Sequence, residues 1–239
     1  MRTDGVWGWL GGIVSGIGLA LGGGGEAAHA ATYPDSTGEE FSGNAHLDIS
    51  SVDVTNDATH LTFKINLVGN PVTTQWGKYL IGIDSVAGGN TTGNGWGKPI
   101  AMSSGMDFWV GSWVDFGSGF EIYQDNAGSW VREHATYDAV DPLATPVVDA
   151  TSVTLTMPLL YLDLSLGSTF NFDVYTSGGG GGDSANDASS NPAQSIADWP
   201  GPYNSGAVVS SFQVVPEPAS VAALGMMALA LGRRRRRGV

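Results

Sequence analysis

Between residues 46 and 214 the dominant pattern is alternation of apolar and polar positions with period two. It is clearest in His60-Leu61-Thr62-Phe63-Lys64-Ile65-Asn66-Leu67, where Leu61, Phe63, Ile65 and Leu67 share one face. Such a run predicts a half-buried antiparallel strand. Comparable runs cover His46 to Val54, Lys78 to Asp84, Met106 to Asp115, Phe120 to Tyr123, Trp130 to His134, Ser152 to Met157, Thr169 to Tyr175 and Val208 to Val214. Turn residues separate them, notably Asn56-Asp57 and Asp125-Asn126-Ala127-Gly128. No segment in this region keeps a 3.6-residue period. About nine short strands argue for an all-β fold, an antiparallel β-sandwich of jelly-roll-like kind. Pro158 to Leu166, opened by proline and followed by Gly167, predicts one short helical turn.

The two ends follow a different pattern, and each predicts an apolar helix. Met1 to Ala31 holds Arg2, an apolar glycine-rich run from Val6 to Leu21 and then Ala28-His29-Ala30, a small-x-small cleavage pattern. That succession reads as a secretory signal peptide. At the other end Pro216-Glu217-Pro218 precedes an apolar stretch closed by Gly232 and five arginines, Arg233 to Arg237. Ala219 to Gly232 would span about 21 Å as a helix, short of a hydrocarbon core of about 30 Å. The arginines hold such a segment on the cytoplasmic side, because carrying several cations across is costly. The chain therefore divides into a leader (1–31), a β-sandwich domain (32–214) and a C-terminal segment (215–239).

The triad Pro216, Glu217, Pro218, the short apolar helix and the cluster Arg233, Arg234, Arg235, Arg236 and Arg237 resemble the PEP-CTERM sorting signal. That resemblance covers about the last 25 residues. It implies recognition by an exosortase, transient anchoring in the inner membrane after export by the secretion machinery, and delivery to the cell surface or an exopolysaccharide matrix.

Charge sharpens the picture of the middle. The whole chain carries 23 acids, 10 bases and a formal net charge of −13. Half of the bases lie in the terminal cluster and Arg2 in the leader, so residues 32–214 retain only Lys64, Lys78, Lys98 and Arg132 and are the more acidic part. A field of that sign disfavours nucleic acid and favours divalent cations. With no cysteine, neither a disulfide nor a thiolate metal site is available.

The opening of the domain, Tyr33-Pro34-Asp35-Ser36-Thr37-Gly38-Glu39-Glu40 followed by His46-Leu47-Asp48-Ile49 and the Leu61 strand, is similar to DOMON-like and family-nine carbohydrate-binding-module-like sandwiches. The similarity implies a two-sheet sandwich of a kind whose members bind sugar, haem or calcium. For haem the chain offers only isolated histidines and methionines, none in a ligand motif.

Two kinds of candidate site follow from residue chemistry. Calcium takes six to eight oxygens. Asp35 and Glu39 in one loop, Asp183 and Asp187 in another beyond the glycines 178–182, and Asp173 at a strand end present such groups. Closely spaced carboxylates repel unless a cation lies between them; ordinary acidic turns in water are the competing explanation. The second candidate is aromatic: Trp76, Trp96, Trp109, Trp113 and Trp130, with Asp107, Asp115 and Lys98 as polar partners, would stack pyranose rings. Tryptophan as core filler competes with it, and a bulge near Gly111-Ser112 would change which face is wet.

Catalysis has little in the sequence to carry it. Glu121 and Glu133 on neighbouring hairpin strands are the pair a glycosidase would need, but there is no Gly-x-Ser-x-Gly, no His-Glu-x-x-His and no phosphate-binding glycine loop. The sequence thus points to a non-enzymatic structural or adhesive protein of the cell surface or extracellular matrix. A carbohydrate-binding module is the alternative, and a glycoside-active enzyme stands third.

Overall fold

In the computed structural model residues 29–191, 198–206 and 208–216 are described. Both predicted apolar helices, Glu217, Pro218 and Arg233 to Arg237 lie outside these residues. The described chain forms β1 (His29–Pro34), β2 (Ile49–Asn56), β3 (His60–Leu67), β4 (Lys78–Asp84), β5 (Ile100–Ala101), β6 (Phe108–Trp113) and β7 (Gly119–Asn126). It continues through β8 (Ser129–Ala135), β9 (Val147–Val148), β10 (Ser152–Pro158), β11 (Thr169–Ser177), β12 (Ala185–Ala188), β13 (Tyr203–Asn204) and β14 (Ser210–Gln213). Five more strands are present than the nine expected. β5, β9 and β13 have two residues each, too few for any alternation to register, and β12 has four.

Two antiparallel sheets carry the architecture. One has the order β1-β2-β3-β10-β9, the other β12-β11-β4-β6-β7-β8, with β14 also paired to β11. Their apolar faces meet. Leu61, Phe63 and Ile65 of β3 join Val110, Ile122, Phe170 and Phe172 of the larger sheet in one core, with Phe63 and Phe172 edge to face at 5.2 Å. Burial of that many large side chains, at roughly 1.5–3 kcal/mol each, is what holds the sheets together.

Turn chemistry fixes the registers. Asp57 Oδ1 accepts the amides of Thr59 and His60, both at 2.7 Å, and sets the β2–β3 hairpin. Ala127 and Gly128 both have positive φ, at 51° and 92°, so the β7–β8 connection is a two-residue turn whose twist matches the flanking strands. The expected bulge at Gly111-Ser112 is not there. β6 stays in register with β4 and β7 throughout, and the irregularity lies between Ile122 and Tyr123 on the β7–β8 ladder. The predicted helical turn is a 3-10 turn, Leu159–Leu162.

His29 and Ala30 pair with Asn56 and Thr55, so β1 begins inside the predicted Ala28-His29-Ala30 pattern. A second, smaller core lies on the outer side of the larger sheet, where Leu80, Trp109 and Tyr175 are covered by Ile100, Met102, Met106 and Tyr203. Met106 therefore belongs to the outer core while Phe108 and Val110 face the inner one, because β6 begins only at Phe108.

Candidate cation site between the sheet edges

β1 and β12 are edge strands of different sheets, and acids at their ends come together. Asp35 follows β1 directly, and its amide bonds the Ser50 carbonyl at 3.1 Å. Glu39 lies in the loop that follows, and Asp187 sits on β12. One carboxylate oxygen from each of Asp35, Glu39 and Asp187 lies within 4.8 Å of the others.

Each backbone bond here positions a carboxylate and leaves others bare. Asp187 Oδ2 accepts the Ile49 amide at 2.6 Å and Oδ1 accepts the Ala188 amide at 2.7 Å. Asp35 Oδ1 accepts the Ser36 amide at 2.9 Å, while its Oδ2 and both oxygens of Glu39 are buried with no hydrogen-bond partner. Asp48, 4% exposed, accepts the Gly38 amide on Oδ2 and leaves a buried Oδ1 without a partner. Bare buried carboxylate oxygens cost several kcal/mol unless a proton or a cation joins them.

The electrostatics agree with that cost. Burial, with Glu39 next in weight, pushes Asp35 up to about 7. Burial likewise pushes Asp187 up to about 8, with the charges of Asp35 and Glu39 adding to it and the Ile49 amide opposing. Glu39 and Asp48 are also raised, chiefly by burial. Among the described residues the ion pairs are His60 with Asp57, Lys78 with Asp115 and Arg132 with Asp138, so no lysine or arginine side chain neutralises this cluster. Hard oxygen donors without a basic partner match calcium rather than a softer metal.

Two of the five predicted ligands do not join. Asp183 turns its carboxylate back to the Gly180 amide at 2.7 Å and closes the glycine loop. Its carbonyl, with Ser177 Oγ and the carbonyls of Gly178 and Gly180, receives the Lys98 ammonium at 2.8 to 3.3 Å. Lys98 is thus buried inside that loop rather than a partner for a sugar. Asp173 is fully buried, accepting the Ser190 amide at 3.0 Å and the Ser205 hydroxyl, and burial pushes it to about 6. It lies close enough for its charge to raise Asp35, but it is not one of the three converging carboxylates. Asp48 is also outside the three converging carboxylates, but its charge raises both Asp35 and Glu39; the residue-chemistry argument passed over it, and its place in the segment His46 to Ile49, just before β2, was the available signal.

Of the five predicted tryptophans, Trp96 and Trp130 pack against the outer core that encloses Trp109, and Trp76 lies in a separate aromatic cluster. Trp109 is 0% exposed, stacked on Tyr175 at 6.1 Å in the outer core, and is no platform residue. Trp76 stands edge to face with His46 at 4.6 Å and with Trp199 at 6.0 Å, near Phe41, which meets Trp199 at 5.0 Å. Trp130 lines a groove of about 640 Å³ with Asn90, Thr92 and Pro200. Trp96 and Trp113 alone come together, with centroids 6.4 Å apart. Of the expected polar partners, Asp107 accepts the amides of Ser85 and Val86, and Asp115 pairs with Lys78 at 3.0 Å. Glu121 accepts from Trp96, Tyr123 and Tyr137, while Glu133 is exposed, one residue out of phase with Arg132.

No family model matches the chain, and comparison with curated proteins and with solved structures returns no match.

Proposed function

We propose that this chain is an exported, jelly-roll-like β-sandwich of the cell surface or exopolysaccharide matrix, whose role is structural and adhesive, and that a calcium ion clamps its two sheets together. The observation that carries the reading is the convergence of Asp35, Glu39 and Asp187, with the unpartnered oxygen of buried Asp48 beside them. A cation held there joins the open edge of one sheet to the open edge of the other. For a domain without disulfides, working outside the cell where calcium is plentiful, that is an available source of stability. The address rests on sequence: the leader with its Ala28-His29-Ala30 pattern, and the PEP-CTERM-like segment that an exosortase would process.

Calorimetric titration of the purified domain with calcium chloride, with thermal melts in EDTA and in millimolar calcium, tests the clamp. At a hundredfold excess over Kd the ion would add about 2.7 kcal/mol. Absence of heat at millimolar calcium together with identical melting curves overturns the reading.

A further inference from the structure

The outer face of the larger sheet carries a row of rings at the margin of the outer core, against which Trp96 packs. Gly111 on β6 and Gly119 on β7 each have an indole lying over them. A Cβ built on Gly111 would come within 2.3 to 2.8 Å of three atoms of the Trp96 ring system, and one on Gly119 within 2.4 Å of Trp113 Cζ2. Glycine at these two positions therefore lets both indoles lie close against the backbone, and both stay half-buried instead of sinking into a core. From Trp96 to Trp113 the centroids step 6.4 Å with planes 34° apart; from Trp113 to Tyr137 they step 6.3 Å with planes 41° apart. Trp113 thus links Trp96 to Tyr137 in a row of three mutually tilted rings.

Glu121 locks that strip. Trp96 Nε1 donates to Glu121 Oε2 at 2.8 Å, Tyr123 OH donates to the same oxygen at 3.1 Å, and Tyr137 OH donates to Oε1. Arg132 lies over one face of the Tyr137 ring, its guanidinium carbon 5.1 Å from the centroid, and its Nη1 is 2.8 Å from Asp138. Tyr137 is 59% exposed, although its hydroxyl is held. An exposed aromatic ring fixed by a carboxylate is pre-organised for stacking, since binding has little side-chain freedom left to remove.

We propose that Trp96, Trp113 and Tyr137 form a binding platform for an uncharged polysaccharide chain. Successive pyranose rings present flat C–H faces to aromatic rings and equatorial hydroxyls to groups at the rim, here Glu121, Asp138 and Arg132. The acidic protein, with two carboxylates at the strip itself, repels a polyanion. A folded protein partner would need roughly 800 Å² on each side. Three rings of about 150 to 250 Å² each, already half covered, fall well short of that. Nothing in this argument depends on the cation clamp.

Native affinity electrophoresis tests it, with hydroxyethylcellulose, xylan, galactomannan or alginate cast in the gel, and with calcium present throughout. The wild-type chain is expected to be retarded by at least one of the three uncharged polymers and not by alginate. Trp113→Ala and Tyr137→Ala should weaken that retardation at least tenfold, while Trp76→Ala, in the separate cluster with His46 and Trp199, should migrate like wild type. Should Trp113→Ala fail to fold by circular dichroism, Tyr137→Ala decides, because its ring is exposed. Free migration in all three uncharged gels, retention by alginate alone, or undiminished binding by Tyr137→Ala overturns the proposal.

Discussion

Asp187 on β12 accepts the amide of Ile49 on β2 at 2.6 Å, so a carboxylate of one sheet holds the backbone of the other. The bond brings a buried carboxyl group to the place where Asp35 and Glu39 also point. A fold with this feature is strained electrostatically until something positive arrives, and the consequences can be measured.

Asp187→Asn keeps an oxygen to accept the Ile49 amide, loses the weaker bond from its own neighbour Ala188, and removes the charge. In millimolar calcium the wild-type domain should melt about 5 to 10 °C higher than in EDTA, given a clamp of about 2.7 kcal/mol. The variant should lose most of that increment in differential scanning calorimetry while melting at or above the wild-type temperature in EDTA. Asp183→Asn, outside the cluster, should retain the full calcium increment.

Asp173 predicts a pH dependence. Its folded value, raised by burial to about 6, lies above the ordinary 3.8, so the folded chain holds a proton that the unfolded chain has lost between those two values. Stability from this group is therefore present below about pH 4 and lost as pH rises through about 6, by on the order of 3 kcal/mol. Urea unfolding in EDTA at pH 4.5 and 6.5 should show a smaller fall for Asp173→Asn than for wild type.

Gly111→Ala should lift Trp96 off the sheet, because the new methyl group would stand 2.3 Å from Trp96 Cε2. Loss of the Trp96 bond to Glu121 and local overpacking should cost about 1 to 3 kcal/mol in denaturant unfolding. Tryptophan emission should shift to the red as the indole meets water.

Deleting Arg233 to Arg237 tests the address rather than the fold. The truncated chain should still be exported but should fail to reach the surface or matrix, as read by immunoblotting of membrane, surface and culture fractions. Surface delivery equal to wild type would count against the sorting signal.

Legibility differed from one element to another for identifiable reasons. The expected bounds of β3 and β4 coincide with the observed ones, because each has a strong sequence pattern between clear turns. Trp109 and Trp113, four residues apart on an unbulged β6, share one face. One is buried and the other half-buried because Met102 and Met106, from the segment just before β6, and Tyr203, from distant β13, cover only the Trp109 end. Asp183 and Asp187, four residues apart, looked equivalent as ligands. Backbone donors separated them: the Gly180 amide turned one into its own loop, and the Ile49 amide drew the other across to the second sheet.

Alternation, turn residues and composition were enough to establish an all-β chain, most of its long strands and its acidic character, since each of these is a local or summed property of residues. Which carboxylates share a site, which indoles stay at the surface and which lysine is enclosed were decided only when the sheets closed. Those outcomes depend on backbone donors and covering loops contributed by segments far apart in the chain, and no local pattern records which distant segment will arrive.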